Sequence, residues 1–336
     1  MTELTATAGT LPAHAEVFSF DEPTAVMDRA ELFDFFELMH NGRWYDPPVA
    51  PSHLAKLFEA SPHHSSAIYA KRNILLSTFI PSRMMDAATF SASCLDLLVF
   101  GDAYLERRMA INRRPLKLQH SLSMYTRVGT NPGQHWFVQN YAAPFEFAPD
   151  SVFHLREPDL RQEIYGRPQY LAAIQSLLLD DAATVFRRRY YANGSHAGFI
   201  LYINDALHES TDIEAIKAAL RDSRGKGNFR NFFIYSPNGK NDGVKLIPIS
   251  EVASKDDFKA IKETSRNDIL AAHRVPPQLL GLVPNNTGGF GKASEAAEVF
   301  VANELLPLQI MFRQINDWVG EEVVSFRPYV IGQPKP

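Results

Sequence analysis

The chain has 336 residues, a formal net charge of −4 and 45% hydrophobic residues. That composition excludes a disordered chain, and the acidic balance excludes a protein that grips nucleic acid through one large basic face, though not one that lets DNA slide past. The single cysteine, Cys94, rules out an intrachain disulfide, and its apolar neighbours point to a buried structural thiol in a reducing compartment.

Residues 1–27 are small, polar and aperiodic, and read as a flexible N-terminal arm with neither the basic start nor the apolar core of a signal peptide. From Asp28, which can cap a helix, Leu32, Phe35, Phe36 and Met39 recur at helical spacing. Past the Asp46-Pro47-Pro48 loop come two more helical stretches, the second opened by Ser61-Pro62 and carrying Ile68, Ile74 and Leu75. A fourth helix is expected over Ala87–Leu98. At Gly101 the pattern changes to that of strands, at 103–107, 116–118, 136–139 and 152–155, with a turn at Asn131-Pro132-Gly133. Residues 28–160 therefore read as α+β, helices first and strands after.

Gly166-Arg167-Pro168 opens a long helix that stops at Asn193-Gly194. A helix of about 26 residues is roughly 39 Å long. Leu171, Ile174, Leu178, Ala182 and Val185 give it a seam for packing along another helix. A small insert follows: a strand at 199–203, a helix at 212–221, a strand at 229–235, a tight turn at Asn238-Gly239 and a strand at 245–249. The helix expected over Ser254–His273 has a thin apolar stripe, Phe258, Ile261, Ile269 and Ala272, and is otherwise highly charged. Val275-Pro276-Pro277 ends it, and a loop rich in glycine and asparagine runs from Val283 to Gly291. A third long helix begins near Ser294 with the seam Val301, Leu305, Leu308, Phe312, Ile315 and Val319; Pro307 inside it predicts a kink. Val323–Val330 reads as a closing strand. No apolar run approaches the roughly 20 residues that cross a bilayer, so no membrane partner is expected.

Chemistry-bearing motifs are sparse. Gly288-Gly289-Phe290-Gly291-Lys292 imitates a phosphate-binding loop, but Asn286 and Ala293 occupy the positions that need glycine and serine or threonine. His63-His64 has no cysteine or carboxylate at ligand spacing, so no metal is expected there. Asp180-Asp181 are adjacent on a helix and diverge by about 100°, which suits a solvated face or an intersubunit ion pair better than shared acid–base work. Arg187-Arg188-Arg189 suits the negative end of a helix dipole. Arg221, Arg224, Lys226 and Arg230 form either a docking patch for an acidic partner or DNA, or a solvated loop. A nucleic-acid-binding module and a P-loop-like nucleotide enzyme are the alternatives in other function classes.

The order of parts resembles the stem, clip, stem, tunnel loop and kinked wing helix of tailed-phage portal proteins. The wording is similar to the PBSX-type portal family of contractile-tailed phages. The matching stretches include Ser61 to Tyr69, Val99-Phe100-Gly101-Asp102 through Arg108, Val152 to Pro158, and Glu163-Ile164-Tyr165-Gly166. Asn193 to Phe199, Gly227 to Asn231, Ala271 to Gly281 and Pro284 to Gly291 match as well. The resemblance implies an α+β portal fold. Its parts would be a wing over 28–165, stem helices over 166–194 and 254–275, and a clip over 195–253. A tunnel-loop region over 276–293, a kinked wing helix over 294–320 and a short C-terminal strand or crown over 321–336 complete it. It implies a homo-oligomeric ring, typically of twelve subunits, at one vertex of a virion capsid, made in the host cytoplasm. The implied partners are the terminase large subunit, the major capsid protein, scaffold, a head-completion or neck adaptor protein, and double-stranded DNA in the channel. No cofactor and no catalytic residue carry over. Asn285, Asn286, Thr287, Gly288, Gly289 and Phe290 would form the tunnel loop, uncharged and so able to touch DNA without trapping it. The clip candidates are the four cations Arg221, Arg224, Lys226 and Arg230.

Overall fold

A computed structural model describes residues 39–112, 114–192, 255–281 and 293–330, together with four strand segments at 16–18, 199–203, 232–235 and 244–248. In chain order these hold β1 (Glu16–Phe18), α1 (Pro51–Ala60), α2 (Pro62–Thr78), β2 (Phe79–Ile80), α3 (Ala87–Phe100), β3 (Asp102–Met109) and β4 (Pro115–Ser121). Then come β5 (Thr126–Val128), β6 (His135–Phe137), β7 (Phe145–Glu146), β8 (Val152–Arg156) and α4 (Ile174–Ala192). They are followed by β9 (Phe199–Ile203), β10 (Phe232–Tyr235), β11 (Val244–Pro248), α5 (Lys255–His273), α6 (Ala293–Phe300), α7 (Leu306–Val319) and β12 (Ser325–Phe326). The helix anticipated from Asp28 lies outside the described residues except for Met39, which is exposed and non-helical.

Local chemistry accounts for the boundaries. Pro51 and Pro62 occupy first-turn positions of α1 and α2, where a missing N–H costs nothing. The Asp86 carboxylate accepts from the Thr89 N–H at 2.7 Å and caps α3, and these backbone donors hold its acidity stronger than usual. Gly101, at φ +79°, ends α3 in the left-handed conformation that glycine adopts without strain.

Two units divide the chain: Asp28–Asp181 with Glu263–Pro336, and Ala182–Lys262 with Met1–Met27. The first contains the antiparallel sheet β4-β3-β8, the antiparallel sheet β5-β6-β7 and the pair β12-β2. Its core joins α2, α3 and α7: Phe79 stacks on Phe90 at 4.0 Å, Phe90 meets Phe312 at 4.9 Å, and Leu75, Leu97, Leu105, Phe300 and Ile315 close around them. Cys94 is buried in this core, as its apolar neighbours require.

The second unit is a sheet of order β1-β10-β9-β11. β9 and β10 are parallel, which demands a crossover connection, and the helix read over 212–221 lies in the intervening residues outside the described ones. β1 was not anticipated. Glu16–Phe18 sits in what reads as a featureless arm, yet it pairs antiparallel with β10, Glu16 opposite Tyr235 and Phe18 opposite Phe233. Three residues are too few for an alternation to register, and the open edge of β10 supplies the reason for the strand.

Other departures are local. The long helix does not begin at Gly166: Pro168 is extended (ψ 133°), a 3₁₀ turn covers Gln169–Ala173, and the α-helix starts at Ile174. The closing strand shrinks to Ser325–Phe326 because only that dipeptide pairs, with Ile80 and Phe79. Asp180 is buried rather than part of a solvated face. No helix among the described residues is long and apolar enough to cross a membrane.

Candidate functional site

The site that the described residues present is a polar junction where the end of α5, the start of the final helical run and α2 meet. In sequence, Arg274 precedes and Glu304 follows residues 282–292, the segment that contains Asn285, Asn286, Thr287, Gly288, Gly289 and Phe290. Those six residues lie outside the described ones, as do Arg221, Arg224, Lys226 and Arg230. Pro307 is described.

Pro307 lacks an N–H and its ring crowds the carbonyl four residues earlier, so the backbone must widen before it. It does so through a π-turn at Val301–Leu305, with the Leu306 N–H donating to the Val301 carbonyl five residues back. The kink expected from proline thus has a concrete form: one extra residue in the helical ladder. That residue shifts the apolar register. The heptad seam extrapolated from the sequence runs through Val301, but the buried face upstream of the turn is Ala297 and Phe300, continuing below it as Leu305, Leu308, Phe312 and Ile315. Val301 and Val319 pack only at the margin of the core. The seam serves the interior of this unit.

The π-turn carries Glu304 into the junction. Its side chain is 6% exposed and meets two cations at 2.7 Å, Lys71 from α2 and Arg274 from the end of α5. Burial pushes the Lys71 ammonium toward losing its proton, and the Glu304 carboxylate opposes this. Arg274 is held at φ +54°, a left-handed backbone unusual for a residue with a side chain. Its guanidinium also donates to Gln169 Oε1 at 3.2 and 3.1 Å, reaching the 3₁₀ turn that begins the α4 run. One arginine thereby links the stop of α5, the π-turn and the start of the α4 run.

Next to it, His64 Nδ1 and His273 Nε2 lie 2.8 Å apart, both rings buried, with Tyr170 packed on the His64 ring at 4.3 Å. One ring must donate and the other accept, so at least one is neutral. Burial lowers the affinity of His64 for a proton to a pKa of about 3; burial, and then His64, Lys71 and Arg274, depress His273 as well. His64 is thus a packed core imidazole without a metal-ligand set: among the described residues no cluster of three or more His, Cys, Asp or Glu could hold an ion.

A second set of contacts seats the α4 run. Gly166 N–H donates to Asp102 Oδ1 at 2.6 Å, and His154 Nε2 bonds the same oxygen at 2.6 Å. Glu157 N–H donates to the Gly101 carbonyl and Arg167 N–H to the Glu157 carbonyl. A Cβ on Gly166 would sit 1.9 Å from the Gly101 oxygen, so the backbones approach too closely for any side chain there. Tyr170 OH donates to Val99 O at 2.6 Å. These contacts explain the missing first turn of the helix: Gly166 and Arg167 are spent on the ends of β3 and β8. They also bring together stretches far apart in sequence that carry the resemblance, namely Val99–Asp102, His154–Pro158, Tyr165-Gly166, His64 and His273-Arg274.

Comparison with known proteins now decides the family. The phage portal protein profile matches residues 64–327. A probable portal protein of Escherichia phage P2 is 50% identical over 314 residues, covering 94% of this chain and 91% of the relative. The chain belongs to the phage portal protein family. A probable portal protein of Haemophilus phage HP1 is 36% identical over 315 residues, 91% of this chain and 90% of its own. Among solved structures, the neck of a native gene transfer agent particle computed with C12 symmetry shares the fold at TM-score 0.62 and 18% identity, over 87% of both chains. A HK97 family phage portal protein from Corynebacterium diphtheriae does so at TM-score 0.57 and 15% identity, over 81% of this chain and 94% of its own. The polar junction and the Gly101–Gly166 seat are therefore parts of an α+β portal fold.

Proposed function

We propose that this portal-family chain is one subunit of a closed ring, of about twelve copies by analogy with its fold neighbours, at a capsid vertex, and that DNA passes through it during packaging and ejection. The observation that carries this reading is the 50% identity with the probable portal protein of Escherichia phage P2 over 94% of the chain. The C12 symmetry of the gene transfer agent neck supports the subunit number.

In this reading residues 28–165 and 294–320 form the wing, 166–194 and 254–275 the stem, and 195–253 the clip. Residues 321–336 make a short crown, and Asn285 to Phe290 line the tunnel. The subunit is a conduit without catalytic residues, working with a separate terminase motor, the major capsid protein, scaffold and a neck adaptor, and residing in the virion. The clip cations Arg221, Arg224, Lys226 and Arg230 would meet an acidic docking partner.

Native mass measurement with negative-stain imaging tests the ring: a particle near twelve times 37.8 kDa is expected, and a monomer at every concentration overturns it. Deleting Asn286 to Gly289 tests the loop. Rings should still form while packaging or DNA retention fails, and normal infectious particles would remove the loop from the mechanism.

A further inference from the structure

The final helical run has two apolar faces, and only one is used by the core. On the other, Leu306 and Ile310 are exposed one turn apart on α7, and Val299 is exposed on α6 upstream of the π-turn. Exposed Glu295, Glu298 and Asp317 accompany them. Arg313 is the only basic residue between 293 and 319, and its guanidinium lies over the Phe326 ring at 5.7 Å. The stripe is apolar at its centre and acidic at its ends.

The β3–β4 hairpin has the opposite chemistry. At its tip Ile111 is fully exposed, with Met109 and Leu116 about half exposed beside it. Arg108, Arg114 and Lys117 surround them and are exposed. Arg107 lies over the Trp318 ring at 4.7 Å, so the shaft of the hairpin already rests on the end of α7. That contact leaves both the tip and the stripe uncovered in the same chain.

We infer that the hairpin tip of one protomer packs on the Leu306–Ile310 stripe of a second copy of this chain. The inference rests on the ring reading and names a contact within it. Two different, complementary patches on one subunit make a head-to-tail contact, the kind that propagates around a ring; a two-fold pairing of like patches would set acid against acid. Nucleic acid is a poor occupant of the stripe, whose acids repel phosphate. Apolar residues at the centre with charges around them match the anatomy of a protein interface.

Charge reversal with rescue tests it. Arg114→Glu with Lys117→Glu, or Glu295→Lys with Glu298→Lys, should each raise the protein concentration at half-assembly about tenfold in sedimentation, and combining the four should restore most of the loss. Melting curves that are unchanged at a concentration where wild type and variants are all unassembled keep misfolding apart from misassembly. Independently, oxidised mixtures of Ile111→Cys subunits with Leu306→Cys subunits should give mixed disulfide dimers, and neither variant alone should. If the wild type forms rings, the reversals assemble normally and no mixed dimers appear, the contact is wrong and the ring stands. If the wild type stays monomeric at every concentration, the ring reading has failed and the contact falls with it.

Discussion

Helix α5 ends on two consecutive residues that solve the same problem in opposite ways. His273 is buried and neutral against His64; Arg274 is 48% exposed and charged, reaching in to a buried glutamate that also holds Lys71. His64 and Lys71 stand two turns apart on one face of α2, so the two clusters pin the same pair of elements. Neutral imidazoles avoid the cost of burying charge but tie the joint to pH. The ionic cluster instead depends on every partner staying in place, because a buried ion left alone is far costlier than a buried pair.

The largest break in that comparison is Lys71→Ala. It leaves Glu304 buried with only the half-exposed Arg274, and should cost about 3–5 kcal/mol in denaturant unfolding at fixed protein concentration. Replacing both partners, Lys71→Met with Glu304→Leu, should recover most of that loss. A double variant as unstable as the single would mean that the ion pair itself, and not the orphaned charge, holds the joint.

The imidazole pair should respond to acid instead. Unfolded histidine binds a proton near pH 6.5, while folded His64 resists until about pH 3. The unfolded state therefore holds more protons between these values, and stability rises with pH across the window. It is complete above about pH 6.5 and falls as pH drops toward 3. At two units below the unfolded value the loss from His64 alone is about 2.7 kcal/mol. His64→Gln should flatten the slope of stability against pH between 6.5 and 4.5, whereas the Lys71–Glu304 double variant should keep it. Equal slopes in wild type and His64→Gln would sink the assignment.

Arg274 gives a smaller effect with a sharper sign. Its positive φ is strained for any residue but glycine. Arg274→Ala loses the ion pair and keeps the strain, while Arg274→Gly loses the pair and relieves it. The glycine variant should be the more stable by about 1 kcal/mol, less the extra entropy of its unfolded chain. An alanine variant at least as stable as the glycine one would show that the backbone there is held by something other than the arginine's contacts.

Much of the fold was legible because its signals are local. Pro62, Asp86 and Gly101 mark helix ends by their own chemistry, and α1, α2, α3, α5 and β3 fall within a few residues of where the pattern places them. The junction was not legible. Nothing in the spacing of Lys71, Arg274 and Glu304 says they meet, since a contact across more than two hundred residues depends on the packed core. His63-His64 reads as a pair without a metal-ligand set, and the partner that matters, His273, lies at the end of a helix read only for its stripe. The short strands β1, β5 and β7 carry too few residues to alternate. The off-seam position of Phe300 was the one available hint of the π-turn, because a large aromatic residue next to an ideal heptad position signals a slipped register.

Pro307→Ala should have the smallest effect, for reasons that the junction supplies. Proline at this position predicts the distortion, so alanine would be expected to remove it. Yet the π-turn is now held by more than the proline: Glu304 is fixed by two cations, and Phe300 and Leu305, on either side of the extra residue, are both fully buried. Returning to a regular α-helix would rotate one of those groups out of place, at a cost of several kcal/mol for a buried phenylalanine or an orphaned glutamate. The gain from restoring one hydrogen bond is about 1 kcal/mol. The turn should therefore survive, with stability changed by less than about 1 kcal/mol and the new amide at 307 exchanging quickly with deuterium. A protected amide there, with Phe300 newly exposed, would show that proline alone imposes the turn and that the ionic junction merely follows it.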